Sequence, residues 1–152
     1  MRALIQRVSS ASVTVEDSIV GQIAKGVLVL LGITNEDTEK DLDYLVDKIT
    51  NLRIFPEGEK EFDLSLLDIE GQVLAVSQFT LYADTRKGRR PSFVDAAKPE
   101  FAKEMYEKFV AKLKETGLKV ETGTFQAMMN VESINEGPVT LWLDSKAEGT
   151  KN

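Results

Sequence analysis

The chain has 152 residues, 42% of them hydrophobic and 29% charged, which suits one globular domain with a real core. It contains neither Cys nor His, so disulfides, zinc fingers, thiol nucleophiles and a Ser-His-Asp triad are all excluded. A net charge of −6 argues against broad nucleic-acid binding, although a local basic patch can still neutralise phosphates.

No apolar run reaches the length of a membrane span, and the N-terminal "MRALIQRV" lacks the layout of a signal peptide. A cytoplasmic protein with no membrane partner is the expectation. Carboxylate-bound magnesium remains possible, but no clustered Asp pattern marks a site for it. Hydrolytic chemistry would have to use hydroxyls, backbone amides, Lys, Arg, carboxylates or groups of the substrate itself.

In chain order, residues 2–9 and 11–16 have strand patterns, with Ile5, Val8, Val13 and Val15 as inward positions. "SIVGQIAKG" is a short strand and turn. "GVLVLLGI" is apolar throughout, which predicts a central strand covered on both faces. Leu42, Leu45, Val46, Ile49 and Leu52 follow helical spacing, capped by Asp37 or Thr38. Next come a strand around "RIF", a polar loop, a short extended piece, a turn at Glu70-Gly71 and a strong strand from Gln72. A second helix starts near Pro99 and stops at Gly117, with Phe101, Met105, Tyr106, Phe109 and Leu113 as its buried stripe. "LKVETG", "FQAMMNVES" and "VTLWLDS" are strand-like. Strands outnumber two well-separated helices, which predicts a single α+β domain: a largely antiparallel or mixed sheet, or a barrel, with both helices outside. It spans 1–145, and 146–152 form a flexible tail.

Four stretches can carry chemistry, and each has a plain structural reading too. In "VSQFTLYAD", alternation puts Ser77, Phe79 and Leu81 on one face and Gln78, Thr80 and Tyr82 on the other. The small polar groups either satisfy local backbone or form a rim that holds a carbonyl and a water. In "DTRKGRRPSF", Arg86, Lys87, Arg89 and Arg90 crowd around one glycine. They form a solvated loop or a phosphate clamp. In "TGTFQAMMNV", Phe125, Met128 and Met129 belong to the core or sandwich a flat base. The fourth, "NEGPVT", puts Gly137-Pro138 between two strand patterns, where neither residue suits a sheet ladder. It is a turn or a backbone feature aimed at a ligand, and pattern alone favours a trans bond there.

"VSQFTLYAD", "GRRPSF", "TGTFQAMMNV" and "NEGPVTLWLD", in this order, together with "ALIQRVSSASVTVE" and "GVLVLLGI", strongly resemble the D-aminoacyl-tRNA deacylase family. The resemblance covers residues 1–145 or so. It implies a homodimeric esterase, independent of metals and cofactors, that removes D-amino acids from tRNA, and glycine mischarged on tRNA-Ala. It implies active sites at the dimer interface, where a cis Gly137-Pro138 of one subunit meets Ser77, Gln78, Phe79 and Thr80 of the other. Arg7 matches the family arginine that braces the Gly-Pro carbonyls, and Phe125 and Met129 match positions around the terminal adenosine. The partner expected is aminoacylated tRNA, held by Arg86, Lys87, Arg89 and Arg90, and no DNA. Glu136, Ser133 and Gln126 depart from the usual family residues, outside the two core motifs. Two rival classes remain: a non-catalytic RNA-binding dimer, and an esterase for small D-amino-acid esters.

Overall fold

The computed structural model describes residues 1–147, so most of the expected tail, from residue 148 on, lies outside the described residues. Lys146 is held, its Nζ donating to Asp41 and to the Glu36 carbonyl.

One long strand organises the sheet. The two strands expected over 2–9 and 11–16 are continuous, forming β1 (Arg2–Val15). Its first half pairs antiparallel with β3 (Gly26–Gly32), its second half with β2 (Ser18–Ile23), and its other edge with β8 (Asn130–Asp144). β6 (Gln72–Ser77) lies parallel to β3, and β7 (Lys119–Thr122) parallel to β6. β2 then comes back against β7. A Cβ on Gly21 would stand 2.3 Å from the Thr122 carbonyl oxygen, a distance only glycine permits. The result is a mixed, nearly closed sheet with two helices, an α+β fold as expected.

Side-chain parity along β1 shows why it cannot be a flat ribbon. Ala3 and Ile5 are buried, then Arg7 and Val8 both are, and after exposed Ser9 come buried Ala11 and Val13. Two register shifts against β8 flank Val8 and allow this. Ile5 therefore joins the core beneath the helices, while Val8 and Val13 join a second cluster inside the curled sheet. Val15 is only half-buried. β3 serves both cores, with Val27, Val29 and Leu31 in the first and Leu28 in the second, as its unbroken apolar run predicts.

Helix α1 spans Glu39–Asn51 and buries Leu42, Leu45, Val46 and Ile49. Thr38 caps it, its backbone N–H and hydroxyl both donating to Asp41. Asp37, the other candidate cap, pairs instead with the buried Met1 amino group. Burial alone would push the Asp41 carboxyl up. Hydrogen bonds from Ser145, the Thr38 backbone and Lys146 outweigh it and hold that carboxyl well below its ordinary range. Helix α2 spans Pro99–Glu115 and is followed by Gly117 at φ +84°. It buries Met105, Tyr106, Phe109, Val110 and Leu113, while Phe101 of the expected stripe is half-buried. β4 (Phe55–Glu57) and β5 (Lys60–Leu64) form a separate hairpin.

Three local expectations are corrected. The alternation assigned to Ser77–Tyr82 fails, because the strand ends at Ser77 and Phe79–Tyr82 is a single 3₁₀ turn. The strand expected from Phe125 starts only at Asn130, after a turn at Phe125–Ala127. Gly137-Pro138 does not separate two strands: it lies within β8.

Candidate active site

The strand β6 ends because its neighbour makes room for a fold-over. The Gln78 N–H still donates to the Leu31 carbonyl, 2.7 Å away. Beyond it the chain curls tightly over Gly32, where a Cβ would stand 3.0 Å from the Leu81 Cβ and 3.2 Å from the Gln78 carbonyl oxygen. The Leu81 N–H donates to Gln78 and the Ala83 N–H to Thr80, closing the turn. As at any helix start, the first N–H groups, on Phe79 and Thr80, have no backbone partner among the described residues. Gln78 Nε2 donates to the Thr80 hydroxyl, which is exposed. Tyr82 is buried, and burial pushes its hydroxyl far above the ordinary range, so the ring stays neutral.

Beside this turn opens a cavity of about 520 Å³, large enough for a nucleoside. Ser77, Phe79, Phe93, Ala127, Phe125 and Met129 line it. Phe79 and Phe93 meet edge to face at 5.0 Å, and Phe125 backs onto Tyr106 at 5.8 Å. The Tyr106 hydroxyl donates to the Ala75 carbonyl of β6, and burial pushes its pKa up to about 12. The expected residues Ser77, Phe79, Phe125 and Met129 thus share one wall system. Met128 points away and is 89% exposed. Phe93 was not singled out by sequence, since it reads only as the end of the basic stretch.

The basic stretch is a closed loop. Asp84 and Ser92 exchange both backbone hydrogen bonds, at 2.8 and 2.9 Å, so the loop ends exactly where Phe93 enters the cavity wall. Arg86 is already engaged: its Nε and Nη2 donate to the two Asp84 oxygens at 2.8 and 2.7 Å. That pairing holds the Asp84 carboxyl well below its ordinary range. Lys87, Arg89 and Arg90 are exposed and have no carboxylate partner among the described residues.

The Gly-Pro segment lies elsewhere. Val8 faces Asn135 and Gln6 faces Thr140, so four residues, Glu136 to Val139, stand against Arg7 alone. They leave the ladder as a bulge, with Gly137 at φ +142° and its bond to Pro138 cis. Arg7, 9% exposed, holds the bulge's root: Nε donates to the Glu136 carbonyl at 2.8 Å and Nη1 to the Ile54 carbonyl at 2.7 Å. No carboxylate pairs with Arg7 among the described residues. The Asn135 side chain spans the base, accepting from the Val139 N–H and donating to Thr140, both at 2.8 Å. Nothing in the sequence marked Asn135 for this, because the partners meet only once the bulge exists.

Within one chain the bulge and the turn do not meet. The register runs from Arg7 through Val27 to Val73, four residues from Ser77 along β6 and three strands from β8, a separation on the order of 15–20 Å. Strand β8 is also largely uncovered, with Ile134 62% and Trp142 49% exposed.

The family model described as D-Tyr-tRNA(Tyr) deacylase matches residues 4–144. A D-aminoacyl-tRNA deacylase of Koribacter versatilis (strain Ellin345) is 59% identical over 148 residues, 97% of this chain and 99% of that protein. Among solved structures, a c-Myc DNA unwinding element binding protein superposes with a TM-score of 0.91 at 42% identity, covering 97% of this chain and all of that one. A probable eukaryotic D-amino acid tRNA deacylase superposes with a TM-score of 0.83 at 20% identity over 93% of this chain and 97% of its own, a likeness of fold.

Proposed function

The chain belongs to the D-Tyr-tRNA(Tyr) deacylase family, hydrolases acting on aminoacyl-tRNA, and from that premise we propose how its own residues edit a charged tRNA. The carrying observation is the joining of three features at one place: an apolar slot walled by Phe79, Phe125 and Met129, a turn beside it whose Phe79 and Thr80 N–H groups have no backbone partner among the described residues, and a basic loop leading away from it. A terminal adenosine stacks in the slot, its ester carbonyl lies at the Phe79 and Thr80 N–H groups, and Lys87, Arg89 and Arg90 take phosphates, with Arg86 held by Asp84. Such a substrate puts the protein's work in the cytoplasm.

The reaction is water attack on the ester carbon. The two N–H groups stabilise the oxyanion, an effect worth about 3–4 kcal/mol per donor in known cases. The Thr80 hydroxyl, fixed by Gln78, orients the water, and the ribose 2′-hydroxyl assists departure of the 3′-oxygen. Without histidine there is no base to activate Thr80 as a covalent nucleophile. Mass spectrometry of the protein during turnover should therefore find no acyl group on Thr80, and finding one would reverse this assignment.

Chirality is judged by a second copy of the chain. The open edge of β8, exposed over most of fifteen residues, supports a homodimer, since monomers seldom leave so long an edge unpaired. So does the distance between bulge and turn within one chain. In the dimer the Gly137 and Pro138 carbonyls of one protomer wall the partner's slot on the side where an L side chain would project. A D side chain points outward, and glycine passes because it has none.

Deacylation of D-tyrosyl-tRNA and L-tyrosyl-tRNA, followed in parallel with EDTA present, tests this reading. Loss of the D ester alone is the expected result. Loss of both esters would turn the protein into a general esterase and remove the wall. Loss of neither, with tRNA or the DNA named for the 42%-identical relative still bound, would favour a non-catalytic nucleic-acid binder.

A further inference from the structure

We infer that Arg2 is a positioning residue for the Ser77–Tyr82 turn, an inference that rests on the deacylase reading of that turn. Arg2 sits at the first position of β1, outside the four stretches whose patterns suggest chemistry. Its guanidinium makes four contacts, each with a different residue. Nη1 donates to the Leu81 carbonyl at 3.1 Å, inside the 3₁₀ turn. Nε donates to the Asp144 carboxylate at 3.0 Å, at the end of β8. Its central carbon lies 4.4 Å from the centre of the Tyr82 ring and 5.6 Å from that of Trp142.

The arrangement has a mechanical meaning. The turn has its entry fixed by the Gln78–Leu31 hydrogen bond and its underside pressed on Gly32. At the exit, where the chain must leave the turn toward the basic loop, Gly32 meets Leu81 and Tyr82 only through their side chains and leaves the Leu81 carbonyl to another partner. Leu81 and Tyr82 are that exit, and Arg2 grips both, one by its carbonyl and one by its ring. The grip is anchored to Asp144 and Trp142 on β8, which pair across β1 with Arg2 and Leu4. An ordinary surface ion pair contributes little by itself. This one differs because the planar, five-donor guanidinium is shared between a carboxylate, a turn carbonyl and two aromatic faces, which Lys cannot reproduce. A turn whose N–H groups must face a developing oxyanion needs such a fixed exit, since a misplacement of about 1 Å can cost on the order of a hundredfold in rate.

Trp142 is the only tryptophan of the chain, so its emission reads this cluster directly. The test compares Arg2→Met, which keeps an apolar stem over the two rings, and Arg2→Lys, which keeps the charge, with the wild-type protein. For each, kcat and KM on D-tyrosyl-tRNA, the D/L ratio, the Trp142 emission maximum and the thermal midpoint are measured. Both variants should shift the emission and lower kcat about tenfold, with KM within about twofold, because the slot is untouched and only alignment is lost. The D/L ratio should stay at the wild-type value, because the root of the bulge is held by Arg7 and Asn135 and not by Arg2. A shifted emission with unchanged kcat would overturn the inference and leave Arg2 as a structural clamp. A fall in kcat matched by a collapse of the thermal midpoint, or restored in full by Lys, would also overturn it. Failure of the wild-type protein to release D-tyrosine strikes the deacylase reading itself and takes this inference with it, an outcome distinct from active wild type with equally active variants.

Discussion

The turn over Gly32 and the bulge opposite Arg7 both interrupt the sheet, yet they are built in opposite ways. The turn is held by its own chain on all sides: a backbone hydrogen bond at its entry, a bare glycine beneath it, the buried Tyr82 at its exit and Arg2 across that exit. The bulge has only a root. Arg7 and Asn135 grip its ends, while Glu136, Gly137 and Pro138 stand exposed. A part meant to do chemistry on whatever arrives has to be finished before the ligand comes. A part meant to complete another molecule's site has to be left unburied in the single chain. On the proposed reading, the difference in burial separates the region that meets the ligand from the region that meets a second copy of the chain.

The strongest way to break this comparison is to damage each region in a separate copy. Gly137→Ala would put a Cβ 2.8 Å from Val139 Cγ2 at a φ of +142°, and deacylation should fall about a hundredfold or more. Ala127→Trp should fill the slot and abolish activity to a similar degree. Mixed in equal amounts and allowed to exchange subunits, the two inactive proteins should recover about a quarter of wild-type activity, because half the dimers carry one intact site of two. No recovery would mean that turn and bulge act within one chain.

Arg7→Met sharpens the same contrast. It leaves the Glu136 and Ile54 carbonyls without their donor, a cost of about 1–3 kcal/mol in stability. The D/L ratio of deacylation should fall with it, whereas Arg2→Met should leave that ratio alone. Equal ratios in the two variants would dissolve the division of labour.

A smaller effect belongs to the basic loop. Neutralising Lys87, Arg89 and Arg90 should flatten the slope of log affinity for tRNA against log salt by about 2, while neutralising Arg86 should add little because Asp84 already occupies it. Equal slopes for all variants would return the loop to plain solvated surface.

The smallest effect on catalysis is expected far from both regions. The Asp41 carboxyl is held below its unfolded value, so its contribution to stability is fully present above about pH 4 and is lost as the pH falls further. Asp41→Asn should lower stability at pH 7 by about 1–3 kcal/mol, and the gap to wild type should narrow in acid. Denaturant titrations at pH 7 and pH 3 would check both, and deacylation measured on the folded variant should be unchanged.

Much of this was readable in the chain itself. The spacing of Leu42, Leu45, Val46 and Ile49 forces one helix face inward, and Thr38 begins it where expected. The unbroken run from Val27 to Leu31 could be buried only in the middle of the sheet, between β1 and β6. The absence of histidine and cysteine narrowed the chemistry before any geometry was known. What failed was local extrapolation at the two interruptions. Alternation through Ser77–Tyr82 assumes that the strand continues, and nothing within those residues announces that Gly32, far back in the chain, lets it fold over.

Periodicity, composition and capping are properties of neighbours along the chain, so the sequence alone determined the helices, the central strand and the residue types available for catalysis. The place of Arg2 over Tyr82, the four residues thrown out opposite Arg7, and the meeting of Phe93 with Phe79 depend on which distant segments pair and in what register. Register is decided by the packing of the whole sheet, where one slipped residue turns every side chain to the other face, and only the tertiary structure carries that information.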